Sequence, residues 1–294
     1  MGNDEGGAGA QRVVFNGTPP VCSARRAARH AFSLWLAGGW QTAFCATALA
    51  VDAGVRFALP ARETAAFAAF VTGGTLVLYC GRYAISALRG GDGEREEAMR
   101  AGPVGTALSL VAGLLLSGYG LFALPWSYSL WTAAWGLSGV AYCFPVFGKP
   151  WREYGLLKPA LLALSWTAIT CGPPAHAGWV ELASVRLLWI FGMTLAFDAK
   201  DVAKDRAAGV KTPAVTLGEN SFRALVGACL VAGLIGKLLI VPPPMRTPVA
   251  VAWFVSLLML VSLRGNRSTR AWVLLGDGAV VVYALVPPVV MLVV

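Results

Sequence analysis

Three aspartates, Asp198, Asp201 and Asp205, follow the apolar segment 187–197 at spacings of three and four residues. If the helix continues past this segment, the spacing places the three carboxylates on one face. Closely spaced carboxylates repel one another unless a cation lies between them, and oxygen ligands suit Mg²⁺. Because Mg²⁺ usually accompanies a phosphate group, the pattern predicts a site for magnesium and a phosphorylated ligand.

Basic residues alternate with these aspartates and could hold the remaining charge of a phosphate group. They are Lys200, Lys204, Arg206 and Lys211. A solvated helix end, where mixed charges are common, is the alternative interpretation. The pattern continues at fixed spacing through Gly209 and Thr212 to Leu217-Gly218, and this longer register favours a binding site.

The composition indicates the class of protein. The 294-residue chain is 57% hydrophobic and only 13% charged, whereas about 25% of residues in soluble domains are charged. Apolar stretches long enough to cross ~30 Å of hydrocarbon recur along the chain. The sequence therefore predicts an all-α, multi-pass membrane domain over residues 25–294, with nine transmembrane helices in one bundle. The predicted spans are 31–52, 65–86, 103–123, 127–147, 156–175, 184–200, 221–241, 247–263 and 271–293.

The distribution of basic residues predicts the orientation. They precede the first predicted span and follow the second, fourth, sixth and eighth, whereas the other loops carry few. The positive-inside rule places the N-terminus and these basic loops in the cytoplasm. Residues 1–24, rich in Gly, Pro and polar residues, are predicted to be a disordered cytoplasmic tail. The net charge of +9 suits an anionic membrane surface, and it does not indicate nucleic acid because the basic residues flank spans.

Several other classes of site lack support in the sequence. The six cysteines show no CxxC spacing, so they indicate neither a zinc site nor a disulfide framework. The two histidines, His30 and His176, have no evident triad partners. Lys237 and Asp277 are conspicuous within predicted spans, but they lie on different helices with no evident repeat, which argues against a transporter.

The aspartate register resembles the second aspartate-rich motif of the UbiA superfamily of intramembrane prenyltransferases, carried by Asp201 and Asp205 with Asp198 one turn earlier. A weaker match runs from Tyr142 to Lys158 and is similar to the family's loop between the fourth and fifth helices. The resemblance covers residues 25–294. It implies a nine-helix bundle that joins an isoprenoid diphosphate to an acceptor at a cytoplasm-facing polar pocket.

The family's first aspartate-rich motif is altered here. Ser86, Ala87 and Gly90 stand where the family has an asparagine and two aspartates, and Glu94 alone keeps an acid in register. Neighbouring acids, Asp92 and Glu96, could replace the missing ligands if the loop has slipped. A solvated loop of mixed charge is the alternative interpretation.

The resemblance implies Mg²⁺ as the cofactor. Asp201 and Asp205 would be catalytic residues and metal ligands, with Asp198 as a third ligand. The displaced acids of the first motif would complete the metal sites. These are Asp92, Glu94 and Glu96.

The resemblance also implies a basic site for the diphosphate and an aromatic site for the prenyl group. Lys149 and Arg152 would be the catalytic cations. Further contacts to the diphosphate are expected from Tyr142, Lys158, Lys211 and Arg206. Aromatic faces can stabilise an allylic cation without reacting with it. The candidate wall residues are Tyr79, Tyr83, Trp135, Tyr142 and Phe197. Ordinary packing within the membrane is the alternative interpretation for each of them.

The expected function is therefore Mg²⁺-dependent transfer of a prenyl group from an isoprenoid diphosphate to an aromatic or other small lipophilic acceptor, at the cytoplasmic membrane face. A terpene cyclase of the same family would use the same ionisation and let the chain attack itself. The altered first motif is also compatible with a catalytically silent relative that binds an isoprenoid lipid.

Overall fold

The structure, a computed structural model, describes residues 39–90, 94–144, 151, 154–155, 157–261 and 271–293. The predicted N-terminal tail, 1–24, lies outside these residues. All regular elements of the described chain are helices, which confirms the predicted all-α class. In chain order they are α1 (Trp40–Arg56), α2 (Ala61–Leu88), α3 (Glu94–Ala101), α4 (Pro103–Ala123), α5 (Trp126–Cys143), α6 (Lys158–Cys171), α7 (Trp179–Asp198), α8 (Val202–Ala207), α9 (Pro213–Thr216), α10 (Glu219–Ile240), α11 (Pro243–Val261) and α12 (Gly278–Val293).

Five helical stretches of the described chain are long and apolar enough to cross a membrane. They are Ala61–Leu88, Pro103–Ala123, Trp179–Ala207, Glu219–Ile240 and Pro243–Leu260. Their length and composition indicate a multi-pass membrane protein. Each predicted span overlaps a helix, but the count of nine transmembrane helices and the sidedness of the loops stay predictions.

Turn-forming residues set several helix ends. Helix α2 begins directly after Pro60, and α6 ends before Gly172 and the pair Pro173-Pro174. Gly172 has a φ of 68°, a left-handed conformation that side chains rarely adopt. The predicted span 156–175 is therefore interrupted, and α6 covers only 14 residues.

Small residues allow close contact between α2 and α4. A Cβ at Gly73 would lie 2.5 Å from the backbone oxygen of Gly113, and one at Gly120 would lie 2.4 Å from the Cβ of Phe70. Such close backbone approach is typical of packed membrane helices. The α2–α4 pair forms one side of the bundle.

Helix α7 lies at the centre of the bundle and positions the aspartates. Its buried residues contribute to both large apolar clusters, Leu182 to one and Trp189 and Met193 to the other. At Asp198 the α-helix tightens into a 3₁₀ turn, Ala199–Asp201, before α8 begins. The helix that the sequence predicts to be continuous is therefore interrupted by one 3₁₀ turn. Because a 3₁₀ turn is tighter than an α-helical turn, the three carboxylates do not lie on a regular α-helical face.

Candidate functional site

A cavity of about 810 Å³ opens beside the end of α7. Asp198, Asp201 and Asp205 all line it, together with residues from α1, α2, α3, α5, α6 and α12. We call it the carboxylate cavity. It therefore joins the aspartate register to segments that are far away in the sequence.

Lys158, the first residue of α6, forms an ion pair with Asp198. Its Nζ lies 2.6 Å from Asp198 Oδ1 and 3.9 Å from Asp205 Oδ2. The side chains of Lys158 and Asp198 are only 15% and 6% exposed, so this pair is poorly screened by water. Asp198 ends α7, where the helix dipole is already negative, and the ammonium group offsets both charges.

Two buried carboxylate oxygens have no hydrogen-bond partner, Asp198 Oδ2 and Asp205 Oδ2. A buried acceptor without a hydrogen bond lowers the free energy of unfolding by about 1–3 kcal/mol. Lys158 is too distant from Asp205 for a hydrogen bond, so its effect on that oxygen is purely electrostatic. Both oxygens are available to a cation or to a donor on a ligand.

A magnesium ion bound at these oxygens would have to keep several of its water ligands. Among the described residues, no group of three or more His, Cys, Asp or Glu side chains is close enough together to hold a metal directly. Mg²⁺ usually keeps several water ligands and is bound through one or two carboxylates plus substrate phosphates. The donor set around Asp201, Asp205 and the free oxygen of Asp198 suits that arrangement.

Asp201 lies at the more exposed rim of the cavity. Its Oδ2 is 4.0 Å from Lys200 Nζ, and the two side chains are 39% and 32% exposed, which makes this a weak pair. The Lys200 ammonium also lies 5.8 Å from the ring centroid of Phe197. Lys204 lines the same rim. Carboxylates and ammonium groups therefore alternate around the opening.

The opposite wall is formed by one face of α2. Tyr79, Arg82, Tyr83 and Ser86 all line the cavity, and their spacing of three and four residues is that of a helix face. The Arg82 guanidinium lies 5.0 Å from the ring centroid of Tyr83. Arg82 was not among the predicted site residues. A charged residue within a predicted span, in register with two tyrosines, is the signal that identifies it.

The structure places the remaining predicted residues differently. Tyr142 and Glu96 line the carboxylate cavity, from α5 and α3. Lys149, Arg152 and Asp92 lie outside the described residues, as does the side chain of Glu94. Ala87, at a first-motif position, is buried.

The predicted wall residues Tyr79, Tyr83 and Phe197 line the cavity, whereas Trp135 lies outside it and packs beside Trp131.

Arg206 and Lys211 are not among the residues that line the carboxylate cavity, and their contact with a diphosphate stays a prediction. Both are exposed. Since Asp205 points inward from the short helix α8, the next residue is rotated by about 100° toward solvent. The Lys211 backbone packs instead against Gly155, where an added Cβ would lie 2.3 Å from the Lys211 oxygen.

The interior of the carboxylate cavity is apolar and aromatic. Its wall includes Leu49, Trp166, Trp189 and Phe197. The indole of Trp189 stacks on the ring of Tyr283, with centroids 3.9 Å apart and planes 10° apart. Asp277 also lines the interior, at the end of a π-helical turn, Trp272–Asp277, that leads into α12. The cavity therefore has a charged opening and a mainly apolar interior.

Comparisons with models of protein families, with curated proteins and with solved structures found no match. The features of this chain that bear on function are therefore the side chains around the carboxylate cavity and the motif that α7 and α8 carry.

Proposed function

We propose that this protein is a Mg²⁺-dependent prenyltransferase, which transfers a prenyl group from an isoprenoid diphosphate to an aromatic or other small lipophilic acceptor. The observation that supports this best is the division of the carboxylate cavity into a charged rim and an apolar, aromatic interior. An isoprenoid diphosphate has the same division, because its anionic head is joined to a hydrocarbon tail.

The diphosphate would lie at the charged rim. Lys158 and Arg82 approach this region from α6 and α2, and Lys200 and Lys204 lie at the opening. A guanidinium can bind two phosphate oxygens at once, while an ammonium acts as a compact charge. The predicted cations Lys149 and Arg152, outside the described residues, would add to this site.

Asp201, Asp205 and the free oxygen of Asp198 would hold the magnesium ion, and Glu96 would approach it from the side of the altered first motif. When bound, Mg²⁺ neutralises charge on a departing diphosphate. Glu94 is the first residue of α3, two positions before Glu96, and Asp92 precedes that helix in the sequence. These acids would offset the cost of bringing a cation beside Lys158.

The proposed reaction forms a carbon–carbon bond between the prenyl group and the acceptor ring. The bond between the allylic carbon and the diphosphate oxygen breaks, and its electron pair leaves with the diphosphate. Electrons of the acceptor ring form the new bond, and the ring then passes a proton to the released diphosphate. Tyr79, Tyr142 and Phe197 present aromatic faces that stabilise the allylic cation. The apolar interior excludes water that would otherwise capture the cation.

One contact favours a second candidate, a catalytically silent protein that binds an isoprenoid lipid. Lys158 already neutralises Asp198 and lies near Asp205, so an internal cation stands where a metal would be expected. A terpene cyclase is the enzymatic alternative, in which the acceptor is a double bond of the same prenyl chain.

Product analysis tests these three candidates. Membranes containing the protein are given Mg²⁺, a panel of isoprenoid diphosphates, and either aromatic acids and quinone precursors or no acceptor, and the products are identified by mass spectrometry. A prenylated acceptor supports the transferase, and a cyclic hydrocarbon formed without acceptor supports the cyclase. If the folded protein consumes no isoprenoid diphosphate from the panel, the result contradicts both the transferase and the cyclase.

We also propose the predicted topology for the membrane domain. Nine helices would cross the bilayer, with the N-terminus and the carboxylate rim in the cytoplasm. The apolar composition of the long helices supports this, and so do the basic residues that flank alternate spans. Labelling single introduced cysteines with a membrane-impermeant reagent, in intact cells and in inverted vesicles, would test the sidedness of each loop.

A further inference from the structure

A second cavity, of about 470 Å³, lies away from the carboxylate cavity, toward the other end of α7. Asp52, Arg56 and Lys237 line it. Arg186, which contacts Asp52, precedes Asp198 by twelve residues on α7, a distance of about 18 Å along the helix axis. This second cavity is therefore separate from the site of the proposed transferase, and its function does not depend on that proposal.

Three buried ionisable side chains meet beside the second cavity. Asp52 Oδ2 accepts hydrogen bonds from Arg186 Nη2 at 2.6 Å and from Lys237 Nζ at 3.1 Å. Asp52, Arg186 and Lys237 are only 4%, 0% and 1% exposed. These three side chains belong to α1, α7 and α10, so their hydrogen bonds link three helices.

This group of three has more positive than negative charge. Two cations share one carboxylate, and the half-buried Arg56 adds a further cation to the cavity wall. Glu181 also lines the cavity, but it is exposed. An uncompensated charge is costly in a low-dielectric interior. An anion in the cavity would lower this cost.

The cations also have hydrogen-bonding capacity left for a ligand. Both hydrogen bonds of Lys237 go to the single carboxylate of Asp52, although an ammonium group has three donors. Arg186 does not line the cavity, and its Nη1 donates to the backbone oxygen and the hydroxyl of Thr170 at 2.8 and 3.2 Å, so the donors for a ligand are those of Lys237 and Arg56. Arg56 donates through Nη2 to the backbone oxygen of Ile240 at 2.9 Å, which leaves other guanidinium donors for the cavity.

We propose that the second cavity binds a phosphate anion through Lys237 and Arg56. The phosphate can belong to the headgroup of an anionic phospholipid or be free inorganic phosphate. The apolar residues of the wall, among them Val55, Ile240 and Met245, are suited to the adjoining hydrocarbon of a lipid. The anion balances the excess charge around Asp52 and thereby stabilises the contact of α1, α7 and α10.

The full-length protein is reconstituted in phosphatidylcholine nanodiscs with or without phosphatidylglycerol, and bound lipid is counted by native mass spectrometry. In a second arm, inorganic phosphate is added to the phosphatidylcholine sample while the unfolding temperature is measured. We expect Lys237→Gln to weaken binding about tenfold, the value of one charge-assisted hydrogen bond. Retained phosphatidylglycerol identifies the lipid as the source, and a response to phosphate identifies the free anion.

Arg246→Gln is the matched control, because Arg246 is exposed, lies in the segment that follows Lys237 and is outside the second cavity. It removes the same charge and should leave binding unchanged. If Lys237→Gln does not fold, Arg56→Gln decides, since it leaves the group around Asp52 intact and should also weaken binding. Equal binding by wild type and the folded cavity variant, or no binding in either arm, would overturn the proposal.

Discussion

Lys158 Nζ and Asp198 Oδ1 are 2.6 Å apart, and this pair joins the start of α6 to the end of α7 at the rim of the carboxylate cavity. The lysine leaves the other oxygen of Asp198 without a partner. One contact thus both neutralises part of the aspartate cluster and leaves a carboxylate oxygen open toward the cavity. The proposed magnesium site depends on the negative charge that Asp201 and Asp205 keep.

Replacing Asp201 or Asp205 with asparagine tests that dependence. Because an amide lacks the charge needed to hold a cation, we expect Mg²⁺-dependent diphosphate turnover to fall by ~10²-fold or more. Asp201 and Asp205 are not part of the apolar core, so the protein should still fold. Glu219→Gln is the control, since the side chain of Glu219 is 73% exposed and its partner is Arg223 on the same helix. Undiminished turnover in both aspartate variants would exclude them as metal ligands.

The Lys158–Asp198 pair is expected to stabilise the folded protein. Breaking a largely buried pair leaves one uncompensated charge, so Lys158→Gln and Asp198→Asn should each be destabilising. The double variant should lose less stability than the sum of the single changes, by about 1–3 kcal/mol. Unfolding in mixed micelles would measure this coupling energy. Additive losses would show that the two side chains do not interact in the membrane.

Gly155→Ala tests the contact between the loop before α6 and the segment after α8. An added methyl group would lie 2.3 Å from the Lys211 backbone oxygen, so one segment must move, at a cost of about 1–3 kcal/mol. We expect a lower unfolding temperature together with weaker diphosphate binding. Gly227→Ala is the matched control, because nothing lies within 4 Å of its added Cβ. The same response in both variants would contradict the proposed contact.

Arg82→Gln tests the role of the α2 wall. Loss of one charge-assisted contact should weaken binding of an isoprenoid diphosphate about tenfold, with a smaller effect on an uncharged isoprenoid alcohol. Arg62→Gln is the control, since Arg62 is exposed and lies twenty residues earlier, about 30 Å away along α2. Isothermal titration with the two ligands provides the comparison. Equal weakening for diphosphate and alcohol would indicate a packing role for Arg82.

Composition and local spacing are enough to predict the class of protein and the local position of the aspartates. Hydrophobic composition predicts membrane helices because apolar segments of this length have few other stable environments. The spacing of Asp198, Asp201 and Asp205 predicts neighbouring carboxylates because helix geometry relates residues three and four apart. Arg82 shares a helix face with Tyr79 and Tyr83 by the same local rule, although it was not among the predicted site residues.

The packing of separate helices brings distant residues together, and local patterns do not predict these contacts. The ion pair of Lys158 with Asp198 depends on how α6 packs beside α7, and the motif alone did not show that Arg206 and Lys211 are not among the residues that line the cavity. Asp52 contacts Arg186 and Lys237 across 134 and 185 residues of chain. Side-chain spacing within one helix is set by local backbone geometry, whereas these contacts are set by the packing of separate helices, and no short-range pattern encodes that packing.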